Sequence, residues 1–166
     1  MIQRDAFIRA VVRECRTSKH LFAKIPEGGM DYRPTPKQRS TRELLQYLSM
    51  IGIASARGMV ENDWASYKGL AEAAAKRSPE EFPAAMDRQA EALKDLLGSL
   101  TDEDMTRETR HVTGDLVPLG LGLMLSTYAW LVAYRHQLFL YAKAAGNAEI
   151  STVNNWVGRD PEPKPA

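Results

Sequence analysis

The stretch from Leu119 to Gly146 constrains this chain most. It is apolar over roughly 28 residues, follows Pro118 and ends on a glycine, so as a helix it would span ~42 Å at 1.5 Å per residue. Everything else the chain builds has to lie alongside that rod, and three further amphipathic stretches can do so. Between Gln3 and Ala23, Phe7, Val11, Cys15, Ser18 and Phe22 recur at steps of three and four, which places them on one face of a helix. Ser40-Thr41-Arg42-Glu43 has the spacing in which a hydroxyl and a carboxylate cap each other's backbone N–H groups. Leu44, Leu45, Leu48, Ile51, Ser55 and Met59 follow it, predicting a second helix to about Glu61. At Ser78-Pro79-Glu80-Glu81 a capping serine, a proline at the first helical position and a glutamate three residues after the cap coincide. The stripe Phe82, Met86, Ala90, Leu93, Leu97 and Leu100 then predicts a third helix to Thr101.

The connections set the architecture. Ile25-Pro26-Glu27-Gly28-Gly29 ends the first helix, and the prolines of Asp31-Tyr32-Arg33-Pro34-Thr35-Pro36 forbid another before Ser40. The connection is extended and long enough to cross a bundle. Residues 62–77, with Trp64 and Tyr67 as aromatic anchors, read as a short, partly helical link, and residues 102–114 as a polar loop. Strand signals are too short and too few for a sheet. The expectation is an all-α chain: a four-helix bundle over residues 1–146 with a long first crossover, then an irregular, proline-rich tail over 147–166 in which Trp156 could dock.

A chain of 166 residues can bury roughly 70% of its unfolded surface, so it needs no metal or disulfide to fold. Its 22 basic and 21 acidic side chains leave a formal charge of +1, which argues against nucleic acid and anionic membranes as partners. Cys15 is the single cysteine and falls on an apolar stripe, as a core residue of a protein from a reducing compartment would. The opening Met1-Ile2-Gln3-Arg4-Asp5 lacks an apolar leader and no window of about 20 residues is free of charge, which predicts a cytoplasmic location.

Metal chemistry in a helical bundle draws on facing side chains such as two histidines at i and i+4. His20, His111 and His136 are each isolated in sequence and read as surface or hydrogen-bonded polar residues. The acids at Glu61-Asp63, Glu80-Glu81 and Asp102-Glu103-Asp104 lie at caps or in loops, where solvation or the helix dipole accounts for them. Gly120 and Gly122 fall in the first turns of the last helix with no strand before them, so they read as sites of close helix packing rather than a phosphate loop. The informative set is Leu123, Thr127, Trp130, Tyr134, Gln137 and Tyr141, which follow at steps of three and four on the last helix and predict its inner face. Tyr47 on the second helix could point into the same space.

These residues carry a resemblance. Asp31-Tyr32-Arg33-Pro34 precedes the second helix, and Ser40 to Leu48 resembles S-x-x-E-L-L-x-H-L. Trp130 to Gly146 resembles an H-x-x-x-H-R-x-Q helix ending in L-R-x-x-G. In order and spacing the chain resembles the DinB-like family of helical bundles over residues 1 to about 146. The resemblance implies that the family's three metal-binding histidines fall on Tyr47, Trp130 and Tyr134, while Arg135 and Gln137 match its motif. An indole is no metal ligand and a phenol near its ordinary pKa is a poor one, so the expectation is no metal and no cofactor. Three rings converging there can plug the core. They can equally line a small-molecule pocket with Tyr47, Trp130, Tyr134 and Gln137 as its candidate residues. The reading is a metal-free small-molecule-binding or interaction protein of unassigned activity, as a homodimer. Its rivals are a metal-dependent transferase or hydrolase of the thiol-transferase type with another ligand set, and a structural homo-oligomerisation module.

Overall fold

The structure, a computed structural model, describes residues 3–162. Its helices are α1 (Arg4–Phe22), α2 (Thr41–Val60), α3 (Ser66–Ala75), α4 (Phe82–Gly98), α5 (Leu119–Leu123), α6 (Ala129–Ala144) and α7 (Thr152–Val157), with one π-helical turn, Met124–Tyr128, joining α5 to α6. The bundle is α1, α2, α4 and α6. Both α1 and α2 pack against α4 and against α6, so α1 and α2 occupy opposite corners. The proline-bearing connection crosses the end of the bundle between those corners, as its length allows.

The capping signals act as their spacing predicts. Ser40 N donates to Glu43 Oε2 at 2.6 Å and Glu43 N donates back to Ser40 Oγ at 3.3 Å, closing the start of α2. Ser78 N donates to Glu81 Oε2 at 2.8 Å, and Pro79 opens a 3-10 turn that leads into α4. The predicted stripes of α2 and α4 are buried throughout. Cys15 is buried too, and that burial pushes its thiol up to about 12, so it stays protonated and serves as a small core residue. Gly120 and Gly122 are close-packing sites: a Cβ would lie 3.2 Å from the Met105 carbonyl oxygen at the first and 2.2 Å from Met59 Cε at the second.

Three segments carry more structure than their sequence pattern predicts. The link after α2 contains the whole of α3. The polar loop folds into a hairpin, β1 (Glu108–Arg110) antiparallel to β2 (Leu116–Pro118), held to α2 where Thr109 Oγ1 donates to Met59 O at 2.9 Å. The tail is not irregular at 152–157, because Ser151 and Asn154 form a capping box there and Gly158 ends the turn at a φ of 72°. That box makes α7, and Asn154 and Asn155 are buried where it docks on α1 and α6. Residues 159–162 are without regular structure. The rest of the expected tail, 163–166, lies outside the described residues, as do the first two.

The π turn decides what the last helix buries. One wider turn accommodates an extra residue, so the facing positions after it advance by one relative to an uninterrupted α-helix. The innermost line becomes Leu123, Thr127, Leu131, Arg135, Leu138 and Ala142, all 7% exposed or less. Trp130, Tyr134 and Gln137, expected on that line, are instead half-buried along its flank.

Candidate functional site

Tyr47 of α2 and Tyr134 of α6 meet edge to face, with ring centres 4.8 Å apart and planes at 75°. Trp130 pairs instead with Trp64, at 6.3 Å between ring centres. Trp64 lies on α2 at Gly58, where a Cβ would come within 2.6 Å of the indole, so the absence of a side chain lets the ring in. Over the phenols sits Arg39, the last residue but one of the crossover. Its guanidinium carbon is 4.0 Å from the Tyr47 ring centre and 5.9 Å from that of Tyr134. Burial first, and then the phenols of Tyr67 and Tyr134, push the Tyr47 hydroxyl well above its ordinary pKa. Beside Tyr47 there remains a recess of about 140 Å³ between α2 and α3.

This donor set does not fit a divalent metal. The Trp130 indole has no lone pair to give, and a Tyr47 phenol held protonated is not a phenolate ligand. Among the described residues no three His, Cys, Asp or Glu side chains converge on a point. The histidines are engaged locally: His20 Nε2 with Asn154 Nδ2, His111 Nδ1 with Thr113 Oγ1, and His136 Nδ1 with Asn155 Nδ2, each at 3.0 Å.

Gln137 does not join the rings. Its Nε2 donates to Tyr141 OH at 2.6 Å, and that hydroxyl donates to the Arg39 carbonyl at 3.0 Å. Tyr141 in turn meets Tyr32 of the crossover edge to face at 5.4 Å. These residues face an open groove of about 680 Å³ between crossover and α6, with Pro34, Gln38, Leu140 and Lys143 on its walls. The structure thus separates the four candidates: Tyr47 with Tyr134, Trp130 with Trp64, and Gln137 in the groove. Arg39 touches both regions, its side chain over the rings and its carbonyl on Tyr141.

No family model matches the sequence, and no curated protein does either. Among solved structures, the crystal structure of a DinB-like protein, YjoA of Bacillus subtilis, matches with a TM-score of 0.68 and 18% sequence identity, over 87% of this chain and 94% of that one. The chain has a DinB-like fold. At that identity the likeness extends to the path of the helices, which is the architecture that the motif resemblance implies.

One polar arrangement inside this DinB-like bundle is invisible to a stripe of apolar residues. Arg135 of α6 and Glu14 of α1 form a buried ion pair, with Nε donating to Oε2 at 2.5 Å. Arg135 Nη1 also donates to the backbone and side-chain oxygens of Asn155 in α7, both at 2.5 Å. The signal for Glu14 is present in the sequence. It stands three residues after Val11 and four before Ser18, so an acid occupies the buried face of α1 and requires a partner. Arg135 is the partner, brought inward by the π turn.

Proposed function

We propose that the protein is a metal-independent small-molecule-binding protein on a DinB-like fold. In this reading Tyr47, Trp130 and Tyr134 plug the position that the family resemblance gives to a metal, and the ligand lies next to them in the groove over Gln137 and Tyr141. The observation that carries it is the separation of the four candidate residues: the rings pack in pairs beside a recess of only about 140 Å³, whereas Gln137 faces one of about 680 Å³. A groove of that volume, apolar along Leu140 and polar at one network, suits a small organic ligand. The amide oxygen of Gln137 has no protein donor among the described residues and is left to accept from such a ligand.

Titration with the fluorophore 1-anilinonaphthalene-8-sulfonate tests this. The full chain should bind it saturably, and Leu140→Glu, a change at an exposed position in the groove, should weaken binding about tenfold or more, worth 1.4 kcal/mol per decade. Binding unaffected by that substitution overturns the assignment to the groove.

A second copy of the chain is the partner this reading includes. Leu116, Leu121 and Leu125 are large, exposed apolar side chains on β2 and the outer face of the last helix, the kind of patch that two-fold interfaces cover. Light scattering should give a dimeric mass at micromolar concentration and a monomeric one for the pair Leu121→Glu and Leu125→Glu. A monomeric parent chain contradicts it.

A further inference from the structure

On the side of α6 facing α1, the helices α1, α6 and α7 border a partly open cavity of about 270 Å³, separate from the groove. Arg135 and Glu14 line it. Two of the guanidinium nitrogens of Arg135 are committed to Glu14 and Asn155, but Nη2 meets no acceptor among the described residues. The charge of Glu14 is matched by Arg135, so Glu14 presents no net negative wall. Arg13 also lines the cavity. It donates to the carbonyl of Trp156 and has no carboxylate within ion-pair distance among the described residues, which leaves one positive charge uncompensated at the wall. Tyr128, His136 and Asn155 also line it, and its apolar surface comes from Val132 and the indole of Trp156, which is 64% exposed.

Burying an arginine and tying two of its nitrogens fixes the third in direction, and a fixed guanidinium N–H is a strong donor to a carboxylate oxygen. A second guanidinium nearby favours a net anion. A volume of about 270 Å³ accommodates a body the size of one aromatic ring. We propose that this cavity binds a small monocarboxylate with a flat apolar body. Arg135 Nη2 and Arg13 receive the carboxylate, and Val132 and the Trp156 indole flank the body. Asn155 and Trp156 both come from α7, so the short C-terminal helix completes the site.

Calorimetric titration of the full chain with phenylacetate, and in parallel with phenylacetamide as its neutral counterpart, tests the proposal. The acid should bind one per chain and the amide about tenfold more weakly or worse, since the amide carries no charge for the guanidinium groups. Arg13→Gln, at an exposed position, should weaken phenylacetate about tenfold while leaving the melting temperature in place. Arg135→Lys should weaken it as well. If that variant fails to fold, Arg13→Gln still decides. Leu140→Glu, in the groove, should leave phenylacetate binding unchanged, which separates failure here from failure of the groove assignment. No binding at millimolar phenylacetate, equal binding of acid and amide, or indifference to Arg13→Gln each overturns the proposal.

Discussion

The two sides of α6 fill interior space by opposite means. Toward α2 and α3 the space holds rings: Tyr134 on Tyr47, Trp130 on Trp64, and a guanidinium laid over the phenols. Toward α1 and α7 it holds a guanidinium locked by a carboxylate and an asparagine. Rings contribute in proportion to the area they bury, so removing one subtracts its share. A buried ion pair behaves otherwise, because removing one partner leaves the other charged and out of water. Tyr134 lies four positions after Trp130 and Arg135 directly follows Tyr134, so the same short segment supplies both kinds of interior. The single π turn upstream sets which residue faces which side.

The largest effect expected from this contrast is at Arg135. Arg135→Met strands Glu14, whose side chain is 5% exposed, and should cost about 3–5 kcal/mol in a urea titration. Adding Glu14→Gln should recover a large part of that loss, because the stranded charge is gone. A single-variant loss below ~1 kcal/mol would mean the pair is hydrated, and the contrast would fail. Trp130→Ala, at a half-buried ring, should cost about 2–3 kcal/mol with an unchanged m-value. Gly58→Ala puts a methyl group where the Trp64 indole lies and should cost about 1–2 kcal/mol, with a red shift in tryptophan emission as the ring is pushed toward water. An unshifted spectrum would show that Trp64 does not rest there.

The smallest effect lies at His20. Burial, ahead of the opposing pull of Asp160 and with help from Lys24, holds its pKa below the ordinary 6.5. The folded chain therefore binds fewer protons there than the unfolded chain. The contribution to stability is complete above 6.5 and is lost as the pH falls from there through the folded value. His20→Gln should flatten the dependence of the urea midpoint on pH over that window, and an unaltered slope would remove His20 from the account.

Helices α2 and α4 were legible because each follows a chemical signal that acts locally. Ser40 with Glu43 and Ser78 with Glu81 cap where their spacing says, and the stripes behind them are buried. Of the expected inner face of the last helix, Leu123, Thr127 and Tyr141 are buried, whereas Trp130, Tyr134 and Gln137 are only half-buried. A π turn carries no residue signature of its own, so a count of three and four residues runs past it and puts Trp130, Tyr134 and Gln137 one position too far inward. Ser151 and Asn154 made a cap that the prolines further along obscured, which hid α7 and with it Asn155, the second partner of Arg135. Trp64 was legible as an anchor but not as the partner of Trp130, since nothing in the sequence ties Gly58 to a ring six residues later.

In the proposed function, packed rings occupy the position at which the family resemblance would place a metal. Equilibrium dialysis of the full chain against zinc or nickel, followed by a chelator wash and a metal count, tests it most directly. Well under one equivalent should be retained per chain, and neither metal nor chelator should move the melting temperature, because no metal contributes to folding. One equivalent held through the wash, with a raised melting temperature that Tyr134→Phe abolishes, would contradict it.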